Sequence, residues 1–461
     1  MSNGELPKQP QRSSIFAGLL LILLGALFLL HRYIPELGIG HLIARYWPLL
    51  LIIWGIAKLV DHLSSQRTGR ARPSVLSGGE AVLLMLLVVV LGWIWVVDYI
   101  HMKHPQLEID GIGLFSHRHS DTEVIPSQSI PAGAQVTVQT GHGDLTIHAG
   151  DVNEIRVEVN KSGSAPNESS ARARMKEVRV VIEHSGGAYL VHPVDQDRAG
   201  GNVSVDLDVE LPKNVSLTAT SARGDIKISG IGGAITATTQ NGDIEIHDAG
   251  SNSGSNVNVQ LQKGDVRISD VPGNVRLSGK GSQIEISDVG GDALLEGDFF
   301  GPIRVRNVKK TTHYVSQRSD ITLLRLTGQL ELDSGDIEIS DVAGSARIAT
   351  HNQDMDIENV AGKLDVTNAH GDIKVRYSDP PREDISVVND SGEIDLTLPS
   401  NSSFQVAASS RSGEVQSDFE DASLKLANES DTGRINGTVG SHGPHITLTT
   451  SYGTIYLRKS S

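Results

Sequence analysis

The sequence predicts an all-β solenoid of stacked coils, about 18–21 residues each, preceded by an α-helical transmembrane region. Two observations carry this fold class. A unit of the form Gly-Asp-apolar-x-apolar recurs at intervals of 16 to 22 residues between Gly224 and Gly453. The front of the chain instead holds three long apolar stretches and all 4 tryptophans. The chain therefore combines an apolar front with a long polar remainder.

The three apolar stretches are each long enough to cross a bilayer as a helix. They run from Ile15 to about Tyr33, from about Leu42 to Val60, and from Ala81 to Tyr99, close to the roughly 20 residues that a spanning helix needs. Lys and Arg are in excess before the first stretch and between the second and third. The positive-inside rule then places the N-terminus in the cytoplasm, and three crossings place the rest of the chain outside.

These features predict five parts in a multi-pass protein of the bacterial cytoplasmic (inner) membrane, whose C-terminal domain is extracytoplasmic. The lipid bilayer is accordingly an expected partner. The parts are a cytoplasmic tail (1–14), a three-helix transmembrane region (15–99), a polar linker (100–130), the N-terminal end of the solenoid (131–223) and the repetitive solenoid (224–461).

One unit, DSGDIEISDVAG around Gly335, shows how a coil is built. Ile337 and Ile339 alternate with Glu338, so the two isoleucines should point inward and the glutamate outward. Gly at the corner permits a positive φ, and the neighbouring Asp can satisfy free backbone N–H groups in the turn. A single coil cannot bury its apolar face alone, whereas stacked coils share one core.

The composition narrows the function. A net charge of -15 argues against a nucleic-acid partner, and the absence of cysteine excludes thiolate chemistry. Carboxylates are abundant, but they recur once per coil in the same role, and long loops that would wall a cleft are missing. A polysaccharide-acting β-helix enzyme is therefore an alternative that the pattern disfavours.

Two sets of residues are candidate metal ligands, although we expect no cofactor. His117 and His119 form a His-x-His pair in the linker. The recurring Asp side chains could stack in a column, where they would either cap turns or bind a hard cation such as calcium. The column would contain Asp225, Asp243, Asp265, Asp320, Asp336, Asp354 and Asp372, with Asp270, Asp288 and Asp341 in a second one.

Two parts of the chain resemble known bacterial families. FAGLLLILLGALFLL followed by LIARYWPLLLIIWGIAKL, over about residues 15–60, resembles the Lia-type transmembrane region of cell-envelope stress proteins. The GDIxI units and the segment VELPKNVSLTATSARGDI from Val209 to Ile226 resemble the putative-adhesin β-solenoid family, over about residues 130–461. Neither resemblance brings a catalytic residue. The chain departs from Lia-type proteins in its third apolar stretch and its longer solenoid.

Taken together, the sequence predicts a non-catalytic, membrane-anchored, extracytoplasmic β-solenoid. It would act as an adhesin-like or protein-interaction module, with an envelope protein or a surface glycan as partner. The alternative is a cell-envelope stress sensor or regulator of Lia type.

Overall fold

The computed structural model describes residues 117–165, 168–196, 198, 203–252, 254–333, 335–429 and 431–460. The three apolar stretches lie outside these residues, so their membrane crossings stay a prediction. Within the described ranges, no helix has the length and apolar character needed to cross a membrane.

The described residues form short strands and one helix, α1 (Glu168–Glu177). The strands up to the middle of the chain are β1 (His117–Ser129), β2 (Gln135–Thr140), β3 (Leu145–Gly150), β4 (Glu154–Ala165), β5 (Arg179–Ser185), β6 (Ala188–Val194), β7 (Val203–Pro212), β8 (Ser216–Arg223), β9 (Ile226–Ser229), β10 (Ile235–Asn241), β11 (Ile244–His247), β12 (Asn256–Leu261), β13 (Val266–Val271), β14 (Asn274–Gly281), β15 (Ile284–Val289) and β16 (Ala293–Phe299). The strands that follow are β17 (Ile303–Val315), β18 (Ser319–Leu332), β19 (Asp336–Val342), β20 (Ala346–Thr350), β21 (Asp354–Val360), β22 (Leu364–His370), β23 (Ile373–Arg376), β24 (Ile385–Ser391), β25 (Ile394–Pro399), β26 (Phe404–Ser412), β27 (Val415–Ser417), β28 (Lys425–Glu429), β29 (Thr432–Val439), β30 (His445–Tyr452) and β31 (Ile455–Ser460).

Each regular coil has two strands that join at the Gly-Asp corner. The first strand of every coil pairs in parallel with the first strand of its neighbours, as β8, β10, β12, β14 and β16 do. The second strands form their own parallel ladder, as β9, β11, β13, β15 and the start of β17 do. We call these ladder 1 and ladder 2. This arrangement confirms the predicted all-β solenoid.

The core lies between the two ladders and consists of aliphatic side chains stacked in register. In ladder 2, Ile226, Ile244, Val266 and Ile284 occupy equivalent positions in successive coils, and each is at most 2% exposed. Removing such a side chain from water contributes about 1.5–3 kcal/mol. The predicted alternation is confirmed at β19, where Ile337 and Ile339 are 0% and 1% exposed.

One coil runs against the direction of all its neighbours, which corrects the expectation of a uniform stack. The sequence around Ser319 looks like any other unit, but β18 pairs antiparallel with β17 on one side and with β19 and β20 on the other. The chain reverses before Ser319 and again before Asp336. Both reversals preserve the inward positions, because alternation reads the same in either direction.

At both ends of the solenoid, the coils do not stack in chain order. The coil β2–β3 lies between β6–β7 and β8–β9, and the last coil, β30–β31, lies between β24–β25 and β26–β27. The units at Gly392 and Gly413 follow each other in the sequence, but the coil of Gly453 lies between them in the structure.

Part of the segment predicted as a polar linker is a strand. β1 covers its last residues and pairs with β4. Lys161 in β4 is almost fully buried, and its Nζ lies 2.7 Å from Oε2 of Glu123 in β1. A buried ammonium needs such a partner, so this ion pair helps to fix β1 in place.

Candidate functional site

At most corners that carry glycine, successive coils approach each other so closely that a side chain would not fit. Gly242 has φ +151°, and a Cβ on it would lie 2.1 Å from the carbonyl oxygen of Gly224 in the neighbouring coil. Gly224 stands in the same relation to Gly143. The recurring Gly is therefore required by the backbone of the next coil as well as by its own φ.

The Asp that follows this Gly links its coil to the next. Oδ1 of Asp225 accepts the backbone N–H of Asp243 at 2.8 Å, and Oδ1 of Asp243 accepts that of Asp265 at 2.8 Å. The same bond joins Asp354 to Asp372 at 2.7 Å and Asp372 to the N–H of Glu393 at 2.8 Å. These carboxylates therefore cap N–H groups, as the turn-cap interpretation proposed, but in the adjacent coil.

Two predicted members of the Asp column do not belong to this pattern. Asp320 lies in the reversed strand β18, where its Oδ1 is 3.1 Å from Nε2 of His313. Asp336 follows the second reversal, and the N–H of Asp354 donates to the carbonyl of Gly335 instead of to its carboxylate. Across the described residues, no group of three or more His, Asp or Glu side chains is arranged to hold a metal ion.

The second predicted Asp column marks a left-handed turn residue. Asp270, Asp288 and Asp341 have φ of 56°, 58° and 54°, a conformation in which Asp and Asn are enriched. Oδ1 of Asp288 accepts a hydrogen bond from Nδ2 of Asn307, which holds the same position one coil on, at 2.6 Å. The short polar side chain thus serves the turn and the contact between coils.

The two histidines of the predicted metal-binding pair, His117 and His119, both lie in β1. Nε2 of His119 accepts a hydrogen bond from Nε of Arg172 at 3.0 Å, so that nitrogen already faces a cation. His117 begins β1, and its side chain lies outside the described part. The metal hypothesis for the pair stays a prediction.

A buried polar column beside the glycine corner escaped the sequence reading. Three residues before the corner Gly, a buried Ser, Thr or Asn side chain donates to a corner carbonyl of the adjacent coil. Ser221 donates to Gly143 at 3.1 Å, Asn389 to Gly371 at 2.8 Å and Ser410 to Gly453 at 2.7 Å. The available signal was the recurrence of Ser, Thr or Asn at this spacing. These bonds satisfy carbonyls that would otherwise be buried without a partner.

The outer face of ladder 2 carries charges that neutralise one another. Arg267 Nε lies 3.2 Å from Glu285 Oε2, and Arg304 Nε lies 2.8 Å from Glu331 Oε1. Arg376 contacts both Asp356 and Glu358, and its hydrogen bond with Glu358, ahead of its other contacts, raises the pKa of its guanidinium. Exposed pairs of this kind contribute little stability, about 0–1 kcal/mol each. The charged side chains named here are therefore all paired across neighbouring coils.

The outer face of ladder 1 is instead uncharged over four consecutive coils. The two central outward positions of each strand carry only hydroxyl and amide side chains, aligned in two rows by the parallel registers of β2, β8, β10 and β12. One coil later, on β14, Arg276 carries a charge and pairs at 2.8 Å with Glu296 of the following coil. We call this set the neutral patch; it consists of Thr137, Gln139, Thr218, Thr220, Thr236, Thr238, Asn258 and Gln260.

A cavity of about 510 Å³ adjoins the neutral patch. Thr220, Thr238 and Gln240 contribute to it from ladder 1, and the opposite side is lined by His192, Pro193, Asp195, Gln196 and Arg198. This volume lies within the ~300–1,000 Å³ range of small-molecule sites. Among the lining residues that the structure describes is the carboxylate of Asp195, whose Oδ1 is 3.1 Å from Nη1 of Arg198.

Gln196 fastens the segment that lines this cavity. Its side chain is 6% exposed; Oε1 accepts the N–H of Gly141 at 2.9 Å, and Nε2 donates to the carbonyl of His142 at 2.6 Å. The preceding Asp195 has φ 64°. The sequence reading missed this site, although the Thr-Ala-Thr tripeptides that begin at Thr218 and Thr236 signalled the threonine rows.

Several solved structures share a low level of similarity with the chain. A putative cell adhesion protein from Clostridium sporogenes is 9% identical over 75% of this chain and 100% of that one, with a TM-score of 0.15. A putative adhesin from Bacteroides fragilis is 13% identical over 73% and 96%, with a TM-score of 0.16. A putative lipid binding protein from Parabacteroides distasonis is also 13% identical over 73% and 96%, with a TM-score of 0.18. TM-scores this low support no inference about ligands.

Family comparisons are more decisive. No curated protein matches the chain. The LiaI-LiaF-like transmembrane region matches residues 15–59, and Toastrack DUF4097 matches residues 134–458. The two matches confirm the resemblances seen in the apolar front and in the GDIxI units. The chain belongs to the Toastrack DUF4097 family.

Proposed function

We propose that the solenoid is a non-catalytic binding module, adhesin-like or protein-interacting, displayed outside the bacterial cytoplasmic membrane by the apolar segments within residues 15–99. The match of residues 15–59 to a transmembrane region supports the anchor. The Lys and Arg bias of the loops supports the extracytoplasmic orientation.

The single observation that carries the binding role is the neutral patch with its adjoining cavity. The patch is built on ladder strands, and the irregular wall of the cavity is held by Gln196, whose side-chain amide bonds the backbone of the neighbouring coil. A site held on regular strands needs little reorganisation to bind, because its side chains are already ordered. Such a surface suits recognition.

The carboxylates support a role without catalysis. Glycoside hydrolysis needs two carboxyl groups on either side of the scissile bond; the carboxylate that the structure describes at the cavity, Asp195, is already paired with Arg198. At the corners, the Asp carboxylates accept a hydrogen bond from a backbone N–H of the next coil through Oδ1, as seen for Asp225, Asp243 and Asp372. These Asp residues recur because each coil needs the same hydrogen bond, and this role does not involve catalysis.

The test uses the full chain in its membrane. Protease added to intact spheroplasts should digest the solenoid, and purified full-length chain in detergent should co-sediment with isolated envelope material. A variant lacking residues 134–460 but keeping the anchor is the control. Protection from the protease would contradict the orientation, and equal sedimentation of chain and control would contradict the binding role.

A second candidate function is envelope-stress sensing, favoured by the match to the LiaI-LiaF-like transmembrane region. In that role the membrane segments would contact a signalling partner. Replacing residues 15–59 by an unrelated membrane hairpin should then abolish the transcriptional response to a wall-active antibiotic while leaving envelope binding intact. An unchanged response would exclude this role for the segment.

A further inference from the structure

We propose that the neutral patch and its cavity bind an uncharged glycan chain that lies across the strands of ladder 1, with about one sugar residue per coil. This inference rests on the proposed binding function and names its ligand class. It concerns the rows of Thr137, Thr218, Thr236 and Asn258 and of Gln139, Thr220, Thr238 and Gln260.

The first argument is charge. The protein has a net charge of -15, yet eight successive outward side chains on four coils carry none. Hydroxyl and amide groups both donate and accept hydrogen bonds, as the hydroxyl groups of a sugar do. Among the described residues at the cavity, Asp195 and Arg198 balance each other's charge. A neutral polyhydroxylated ligand therefore meets matching groups without having to displace a charge.

The second argument is spacing. Neighbouring strands of a parallel ladder lie about 4.8 Å apart, which is close to the length of one pyranose unit in an extended β-1,4-linked chain. The registers place Thr218 beside Thr236 and Thr220 beside Thr238 without a shift. Successive sugars along such a chain would meet the same side-chain types on successive coils, and weak contacts repeated along a connected ligand add up.

The third argument is that the patch does not resemble the centre of a protein interface. Such centres are enriched in aromatic side chains, Met and Arg and are fully desolvated. The eight residues of the patch contain none of these. The cavity adds Arg198, which is paired with Asp195, and the small apolar residues Pro193 and Ala222. A hydrated polar ligand fits this surface better than a protein does.

The cavity lies along one row of the patch, where it is lined by Gln139, Thr220 and Thr238 of three neighbouring coils. Gln240 and Thr238 face it from ladder 1, and the segment held by Gln196 rises on the other side. A sugar in the cavity would contact both ladder 1 and the segment around Gln196, whereas a sugar on the rest of the patch would contact ladder 1 alone. The strongest contacts should therefore come from the cavity residues.

The test measures binding of fluorescein-labelled chitohexaose, a neutral β-1,4-linked hexasaccharide, to the full chain in a sugar-free detergent by fluorescence anisotropy. Thr238→Val keeps the β-branched shape and removes the hydroxyl, so it should weaken binding about three- to tenfold. Gln240→Ala alters an exposed side chain of the same cavity and should act in the same direction. Thr449→Val, an equivalent outward threonine on β30, is the matched control and should leave binding unchanged.

Two further comparisons test the extended and uncharged character of the ligand. Chitobiose should bind at least tenfold more weakly than chitohexaose, and oligogalacturonate of the same length should not compete. No chitohexaose binding, alongside retained sedimentation with envelope material, would overturn this inference and leave the proposed function standing. Loss of both would overturn the two together. Equal weakening by Thr238→Val and Thr449→Val, or equal binding of chitobiose, would also refute it.

Discussion

Ile339→Ala, compared with Glu338→Ala beside it, tests the architecture most directly. Ile339 is 1% exposed and pairs with Leu330 in the reversed strand and Ile357 in the next parallel one. Truncating a buried Ile to Ala typically costs about 2–5 kcal/mol, from lost transfer energy and the cavity left behind. Glu338 points outward, so its truncation should cost no more than about 0.5 kcal/mol.

Hydrogen exchange of the full chain in detergent, followed by mass spectrometry, measures this effect locally. A loss of about 3 kcal/mol in the free energy of local opening corresponds to roughly a hundredfold faster exchange. We expect this acceleration in peptides covering β18, β19 and β21 for Ile339→Ala. In a repeat protein each coil contacts only its neighbours, so β8 to β11 should exchange as in the parent. Equal acceleration by Glu338→Ala would refute the inward and outward assignment.

Three further predictions follow from the corners and from the C-terminal hairpin. Gly242→Ala should accelerate exchange in β10 to β13, whereas Gly186→Ala, at a turn with open space around it, should act only through its own φ. Asp243→Ala should cost about 1 kcal/mol by leaving the N–H of Asp265 unpaired; Asp243→Asn keeps an acceptor and should cost less. A calcium chelator should leave hydrogen exchange unchanged in the parent and in both Asp243 variants. Faster exchange of the parent on adding the chelator would support the bound-cation hypothesis instead. Hydrogen bonds from the backbone N–H groups of Ser423 and Gly440 lower the pKa of Asp421 from 3.8, so its stabilisation is present above that pH and is lost as the pH falls through the lower folded value. Asp421→Asn should remove this acid sensitivity of exchange around β28 and β29.

The sequence alone predicted the inside of the solenoid well, because alternation has a direct physical cause. Ile337 and Ile339 must both face the core if Glu338 is to stay in water, and neighbouring units repeat the pattern. The corner Gly and Asp were also predictable as a turn. What the sequence did not show is that both act on the next coil, since a bond such as that from Asp243 N–H to Asp225 spans 18 residues.

The neutral patch and its cavity were less accessible to sequence reasoning. The alternation that places Glu338 outward also applies to these strands, but a Thr on an outward strand position is ordinary, and only the register shows that several lie side by side. Gln196 was invisible for another reason. It lies in an irregular segment, and its partners at Gly141 and His142 are 55 and 54 residues away. No local pattern predicts such a contact.

The order in which the coils stack cannot be predicted from the sequence of a single repeat unit. Every regular coil offers similar edges on both sides, so local pattern allows any coil to follow any other, in either direction. The ends of the ladders decide between these arrangements, because an uncovered strand edge invites pairing with other chains. By folding back, the chain moves β2–β3 and β30–β31 to the interior and leaves antiparallel segments outermost: β5 beside β6 and the hairpin β28–β29. At the end of ladder 2, β27 has only 3 residues, and the side-chain amide of Asn428 bonds both the N–H and the carbonyl of Val415 at 3.2 Å. The departures from chain order are thus the means by which a repetitive solenoid covers its own ends.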